Sequence, residues 1–308
     1  LINARKLADR LTYRGMLALC AFIISLTFLI AAGLFWRAWP VLSRTAVWTM
    51  LFSRAWHPTE GNFGLASFII GTFWVTAISM LISIPLSILT AVYLAEYAPR
   101  RVREYLRPLI DLLAGISPVI FGVWGMLAIV PLVRDYVMPF ASRWLPFFPF
   151  VSDNYTGFCA LSAGIVLAVM VFPIMISVVE DVILAVPVEI KEAALSLGTT
   201  KWEAVRWAVL RKAKPGIIAA VILGLARAFG ETMAVLMVAG CSLGSLPRSI
   251  FDAAYPLPAL IANTYGEMMS IPLYDAAVMF AALMLMLITA GFNMIGWGLL
   301  IRTLRREW

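Results

Sequence analysis

The chain has 308 residues, 62% of them hydrophobic and 13% charged, and a formal net charge of +7. Soluble domains carry about 25% charged residues, so the composition excludes an ordinary soluble enzyme or binding module and indicates a polytopic membrane protein. The basic excess does not suit a nucleic-acid binder, because it gathers at alternate ends of apolar runs and is not interleaved with aromatics for base stacking.

Arg5, Lys6, Arg10 and Arg14 precede an apolar run over residues 16–36, long enough to cross a ~30 Å hydrocarbon core at 1.5 Å per residue. Ala31-Ala32-Gly33 would suit a signal cleavage site. The run outlasts the usual signal core, so an uncleaved first span is expected. Residues 37–64 read as an outer loop whose Trp39, Trp48 and Trp56 form an interfacial belt. A second span covers 66–94, with a kink expected at Pro85, and EYAPRRVREYLRP follows it with four arginines. The third span, 109–133, contains GISPVIFGVWG, where Gly115, Pro118, Gly122 and Gly125 allow bending and close helix approach. Asp111 is read as its interfacial start. Residues 134–157 form a second outer loop, and the fourth span runs over 158–179 with Pro173 inside it.

A long polar loop occupies 180–215, the fifth span 216–240, a third outer loop 241–275 and the sixth span 276–301. Seventeen of the 24 basic residues, including every lysine, fall on the side shared by the termini and the 180–215 loop. The positive-inside rule then predicts an N-in, C-in topology with that loop in the cytoplasm. Cys20, Cys159 and Cys241 show no CxxC or metal-ligand spacing, and His57 is the sole histidine, so zinc, haem and Cys–His chemistry lack a ligand set. Cys159 and Cys241 both fall near the outer face, where the alternatives are a disulfide between them and packed thiols; packed thiols are expected.

Within the loop, Pro187 suits the first turn of a helix and Gly198 the left-handed residue that ends one. Thr199 or Thr200 then caps a second helix, with Glu203 completing a capping box on Thr200. Two short helices at a turn predict a compact docking knob. In the fifth span, Arg227 and Glu231 lie four apart and are expected on one helix face about 6 Å apart. Charges within a span usually mark a substrate or ion pathway; the alternative is an internal ion pair that locks a helix interface. Gly224 and Gly230 are read as leaving space beside the pair.

These residues carry a resemblance. Glu192-Ala193-Ala194, three residues and then Gly198 resemble the EAA loop of the membrane subunits of bacterial ABC importers. The customary Leu-Pro ending is replaced by Leu210-Arg211, with Pro215 read as a displaced stop. GLARAFGETMAV is similar to the fifth span of the membrane subunits of the phosphate-specific (Pst) importer. So are FG before span two, GT within it, YLAEYAP after it and AGISPVIFGVWG in span three. The fuller outer loop before span two points to the C-type rather than the A-type subunit.

The resemblance implies an all-α permease of type I ABC importer (MetI-like) architecture, with one transmembrane domain over 1–308 in a bacterial cytoplasmic membrane. It implies that Glu192, Ala193, Ala194 and Gly198 couple to the ATPase, and that Arg227 and Glu231 take part in moving phosphate. The chain itself would hold no catalytic site and no cofactor, since ATP with magnesium binds the partner ATPase. The implied partners are a dimer of cytosolic ATP-binding subunits, a second homologous permease subunit, a periplasmic or lipoprotein phosphate-binding protein and membrane lipid, with no nucleic acid. Arginine presents a fixed fork of donors to phosphate oxygens, while a carboxylate beside it accepts from the proton phosphate still carries near neutral pH. Sulfate and molybdate lack that proton and would meet Glu231 as a like charge. Other readings are a permease for phosphonate, molybdate or tungstate, or a proton-coupled secondary transporter using Glu231. Against the latter stand the loop and the lack of a visible inverted repeat. A membrane enzyme would need a convergent catalytic cluster or a Walker A motif, and the sequence has neither.

Overall fold

A backbone in hydrocarbon has to satisfy its own hydrogen bonds, so apolar runs of this length fold as helices. The computed structural model describes residues 2–57, 61–144, 149–150, 152, 154–244, 246–266 and 271–305. Six helical stretches among them are long and apolar enough to cross a membrane, and they come in the expected order.

The first helix, α1 (Ile2–Leu42), extends beyond the 16–36 run at both ends. A short α2 (Val47–Phe52) and an antiparallel pair, β1 (Trp56–His57) with β2 (Asn62–Phe63), lead to α3 (Ala66–Tyr97). The helix α4 (Arg100–Ala114) and the break at 115–117 precede α5 (Pro118–Trp144). Next come α6 (Ala160–Leu184), α7 (Val188–Ser196), α8 (Lys201–Gly230) and α9 (Met233–Val238). Finally α10 (Leu257–Thr264) precedes α11 (Pro272–Arg305).

The bundle is built around α6, which packs on α3, α4, α5, α8 and α9. Small residues make its close contact with α3 possible: Ala160, Ala163 and Ala168 on α6 and Ser79, Ser83 and Ser87 on α3 are fully buried. By contrast, α1 lies along α11 and leaves Leu17, Phe22, Phe28 and Trp36 exposed. Arg37 of α1 stands 3.9 Å from Asp275 of α11, so the two helices run antiparallel.

Several boundaries differ from those read in the sequence. Span three does not start at Leu109, because α4 carries the chain to Ala114 and Pro118 opens a new helix at its first position. Proline pushes the preceding residue out of the helical region, and Ser117 is extended at φ −61°, ψ 138°. Asp111 therefore sits near the end of α4 and starts no helix, and residues 134–144 are helix instead of outer loop. α6 continues past Val179 to Leu184, taking Glu180 and Asp181 out of the loop. Pro215 stops nothing, because α8 runs through it from Lys201, so the second helix of the loop and span five are one helix. Trp56 is not part of an interfacial belt. It is buried edge-on against Phe63, Phe68 and Tyr274, whereas Trp39 and Trp48 are exposed.

Candidate functional site

The fifth span breaks between Arg227 and Glu231. α8 ends at Gly230, Glu231 is extended at φ −74°, ψ 125°, and a new helix begins at Met233. The local cause lies in Gly230-Glu231-Thr232. Glycine is about 1 kcal/mol less favourable than alanine inside a helix, and the Thr232 hydroxyl bonds the Gly230 carbonyl at 3.3 Å in place of continued helical geometry. The two charges therefore do not share one helix face, and no ion pair joins them among the described residues. Glu231 Oε1 instead accepts from the Ala234 N–H at 3.4 Å, at the start of α9.

One side of this last turn of α8 is anchored. Phe229 is buried with its ring centroid 4.9 Å from Phe292 and 5.9 Å from Phe73, and Ala228 is buried beside it. The opposite side is open: Leu223, Arg227 and Gly230 are all exposed at helical spacing. Around Gly230 a Cβ would meet nothing within 4 Å, as expected. Gly224 differs, since a Cβ there would fall 2.8 Å from Met175 Sδ and 3.2 Å from Val171 Cγ1, so it serves contact with α6 and leaves no space. The arrangement puts together a guanidinium with no ion pair among the described residues, a carboxylate and a helix interruption. Irregular backbone within a membrane is tolerated where protein buries it or where it lines an aqueous cavity. Interrupted spans of this kind direct helix ends at ions in transporters.

The loop folds as its local signals dictate. Thr200 Oγ1 accepts from the Glu203 N–H at 3.3 Å and Glu203 Oε2 accepts from the Thr200 N–H at 2.8 Å, forming the capping box. Gly198 takes φ +83° after α7, a left-handed conformation that side chains with a Cβ adopt at a cost. Glu192, Ala193 and Gly198 are exposed, Ala194 is half-buried, and no residue of α7 is fully buried. The short helix thus presents most of its surface outward, with Val188, Leu195 and Leu197 adding apolar area.

An ionic frame around this loop was not apparent in the sequence. Arg103 of α4 donates to Glu180 at 2.7 Å and Arg107 to Asp181 at 2.8 Å, joining α4 to the end of α6. Lys191 of α7 bonds Glu96 at the end of α3, and Lys201 sits 4.4 Å over the Tyr97 ring. These partners lie 74 to 104 residues apart along the chain, beyond any spacing rule.

At the opposite end, Asp252 accepts from the N–H groups of Arg248 at 2.8 Å and Ser249 at 2.9 Å and from the Ser152 hydroxyl. Asn154 Nδ2 bridges the carbonyls of Phe158 and Phe251, each at 3.0 Å. Cys159 and Cys241 are free thiols beside this network. Burial pushes the Cys241 thiol up to about 11.

Residues 83–299 match the family described as binding-protein-dependent transport system inner membrane component. The chain is 36% identical over 295 residues to the phosphate transport system permease protein PstC of Xylella fastidiosa, covering 94% of this chain and 90% of that protein. The protein of the same name from Pasteurella multocida is 33% identical, covering 93% and 89%. PstC 1 of Mycobacterium tuberculosis is 35% identical, covering 81% and 75%. Among solved structures, an inward-facing conformation of the MetNI methionine ABC transporter superposes with a TM-score of 0.53 at 19% identity, over 78% of this chain and 94% of the other.

Proposed function

Since the chain belongs to the binding-protein-dependent transport system inner membrane components, and within them to the C-type permeases of the Pst kind, we propose that it is the membrane-spanning subunit of an ATP-driven importer of inorganic phosphate. It is a multi-pass protein of the cytoplasmic membrane. Both termini and the 185–200 loop lie in the cytoplasm, a reading supported by the one-sided distribution of basic residues. A cytosolic ATPase dimer docks on α7 and the Gly198 turn, a second permease subunit completes the pathway, and a binding protein delivers phosphate from outside. ATP is hydrolysed in the partner, and the two permease subunits alternate access to the anion.

The observation that carries the reading is the interrupted fifth span, with Arg227 on its open side, in no ion pair among the described residues, and Glu231 in the break. A guanidinium on an open helix face is available to phosphate oxygens, for which its fork of donors is suited. Arg227 also lies in the last turn of α8, where the helix dipole favours a cation. Glu231 accepts a hydrogen bond from protonated phosphate and disfavours oxyanions that have no proton to offer. The remaining positive charge needed by a dianion comes from the second permease subunit. The test is phosphate uptake in vesicles holding the complete transporter with Glu231→Gln. Uptake is expected to fall and discrimination against sulfate to relax; unchanged uptake and selectivity would refute the role of Glu231.

A further inference from the structure

YLAEYAP, at the end of α3, has a use that transport of the anion does not itself require. The helix closes in a π-helical turn over Tyr93–Tyr97, which adds a residue to the turn and re-aims those after it. Glu96, on this turn, bonds Lys191 of α7, and the two side chains are 10% and 27% exposed. Beside it, the Tyr97 ring lies 4.4 Å beneath the ammonium of Lys201, the first residue of α8. A single turn of span two thus grips both helices that flank the Gly198 corner.

The face of α7 toward the bundle is narrow. Ile190, Lys191 and Ala194 are half-buried, while Glu189, Glu192, Ala193 and Ser196 on either side are exposed. The helix packs on the following turn over Ala204–Val209, its near neighbour in sequence, but its salt bridge leads to a different span. Among the described residues, Lys191–Glu96 is the ion pair that joins α7 to span two.

We propose that Glu96 and Lys191 are positioning residues that clamp α7 to the end of span two, so that displacement of α7 moves span two together with span five. The inference rests on the reading of α7 as the ATPase-docking helix. Span five is reached from α7 through the chain itself; span two is reached through this pair, with Tyr97 under Lys201 as a second grip. Both carboxylate and ammonium are largely withdrawn from water, so removing either leaves the other poorly solvated, and reversing one sets like charges together.

The test uses the complete transporter in vesicles, with phosphate uptake and ATP hydrolysis measured on the same preparation. Glu96→Lys and Lys191→Glu are each expected to lower phosphate moved per ATP hydrolysed by roughly fivefold or more, and the double exchange to restore most of it. A purely structural role would lower both rates in step. Single variants with the wild-type ratio, or a double exchange no better than either single, would overturn the proposal. Glu96→Gln and Lys191→Met serve where the reversals do not assemble. Hydrogen exchange over residues 188–197 in those variants reads the clamp without reference to any anion. Faster exchange there is expected, and exchange equal to wild type would overturn the clamp. Wild-type vesicles that fail to take up phosphate would instead contradict the transport reading, with the exchange result still deciding the clamp.

Discussion

Arg103→Ala removes the guanidinium 2.7 Å from Glu180 and leaves a carboxylate that is 1% exposed without its cation. Breaking a buried pair from one side costs about 3–5 kcal/mol, because the remaining charge keeps its desolvation penalty. Arg103 is itself 30% exposed, so water reaches the vacated position and the lower end, about 3 kcal/mol, is expected. Arg100, one turn earlier on α4, supplies the control: it pairs with Glu104 at 3.0 Å, but the two side chains are 93% and 61% exposed. Solvent screens that pair, and Arg100→Ala should cost ~0.5 kcal/mol or less. Arg103→Met combined with Glu180→Leu removes both charges and should recover most of the loss, as apolar replacement of a buried pair is often neutral. Thermal unfolding of the purified protein in detergent measures the series. Wild type and Arg100→Ala should melt together, the double variant close to them, and Arg103→Ala several degrees lower. Equal melting of Arg103→Ala and Arg100→Ala would refute the claim that burial sets the strength of these pairs.

Trp56→Ala should destabilise by about 3–5 kcal/mol, as loss of a buried aromatic usually does, whereas Trp48→Ala at an exposed position should leave the melting temperature nearly unchanged. Gly224→Leu forces a side chain against Met175 and Val171 and should cost about 1–3 kcal/mol, read by the same melts. Cys241, with its thiol raised by burial from the ordinary 9.0 to about 11, holds roughly a hundredfold less thiolate at neutral pH. Maleimide labelling there should be slow and accelerate with each step of pH up to about 11; rapid labelling at pH 7.5 would contradict the packing around it.

The six spans and their order were legible because a run of twenty apolar residues has few alternatives to a membrane helix. Caps were legible too, since the Thr200–Glu203 box and the Gly198 turn depend on neighbours within four residues. Boundaries set by distant partners were not. Glu180 and Asp181 look like loop residues in a hydropathy profile, but Arg103 and Arg107 pair with them and α6 continues past both to Leu184. The buried environment of Trp56 depends on Tyr274, more than two hundred residues away. The break at Glu231 is a different case. Its signals, Gly230 and Thr232, are local, but they stand inside an apolar run that continues to Val238 and conceals them. Arg227 and Glu231 were legible as charges out of place; their separation, with Arg227 in the last turn of α8 and Glu231 in the break after it, was not.

Phosphate transport through the Arg227 site is tested most directly by ATP-driven uptake of labelled phosphate into vesicles containing the complete transporter, with Arg227→Gln compared against wild type and unlabelled anions added as competitors. Uptake should require ATP, yield to unlabelled phosphate but not to sulfate or molybdate, and be lost in Arg227→Gln while the complex stays assembled. Uptake driven by a proton gradient without ATP, or unchanged in Arg227→Gln, would contradict it.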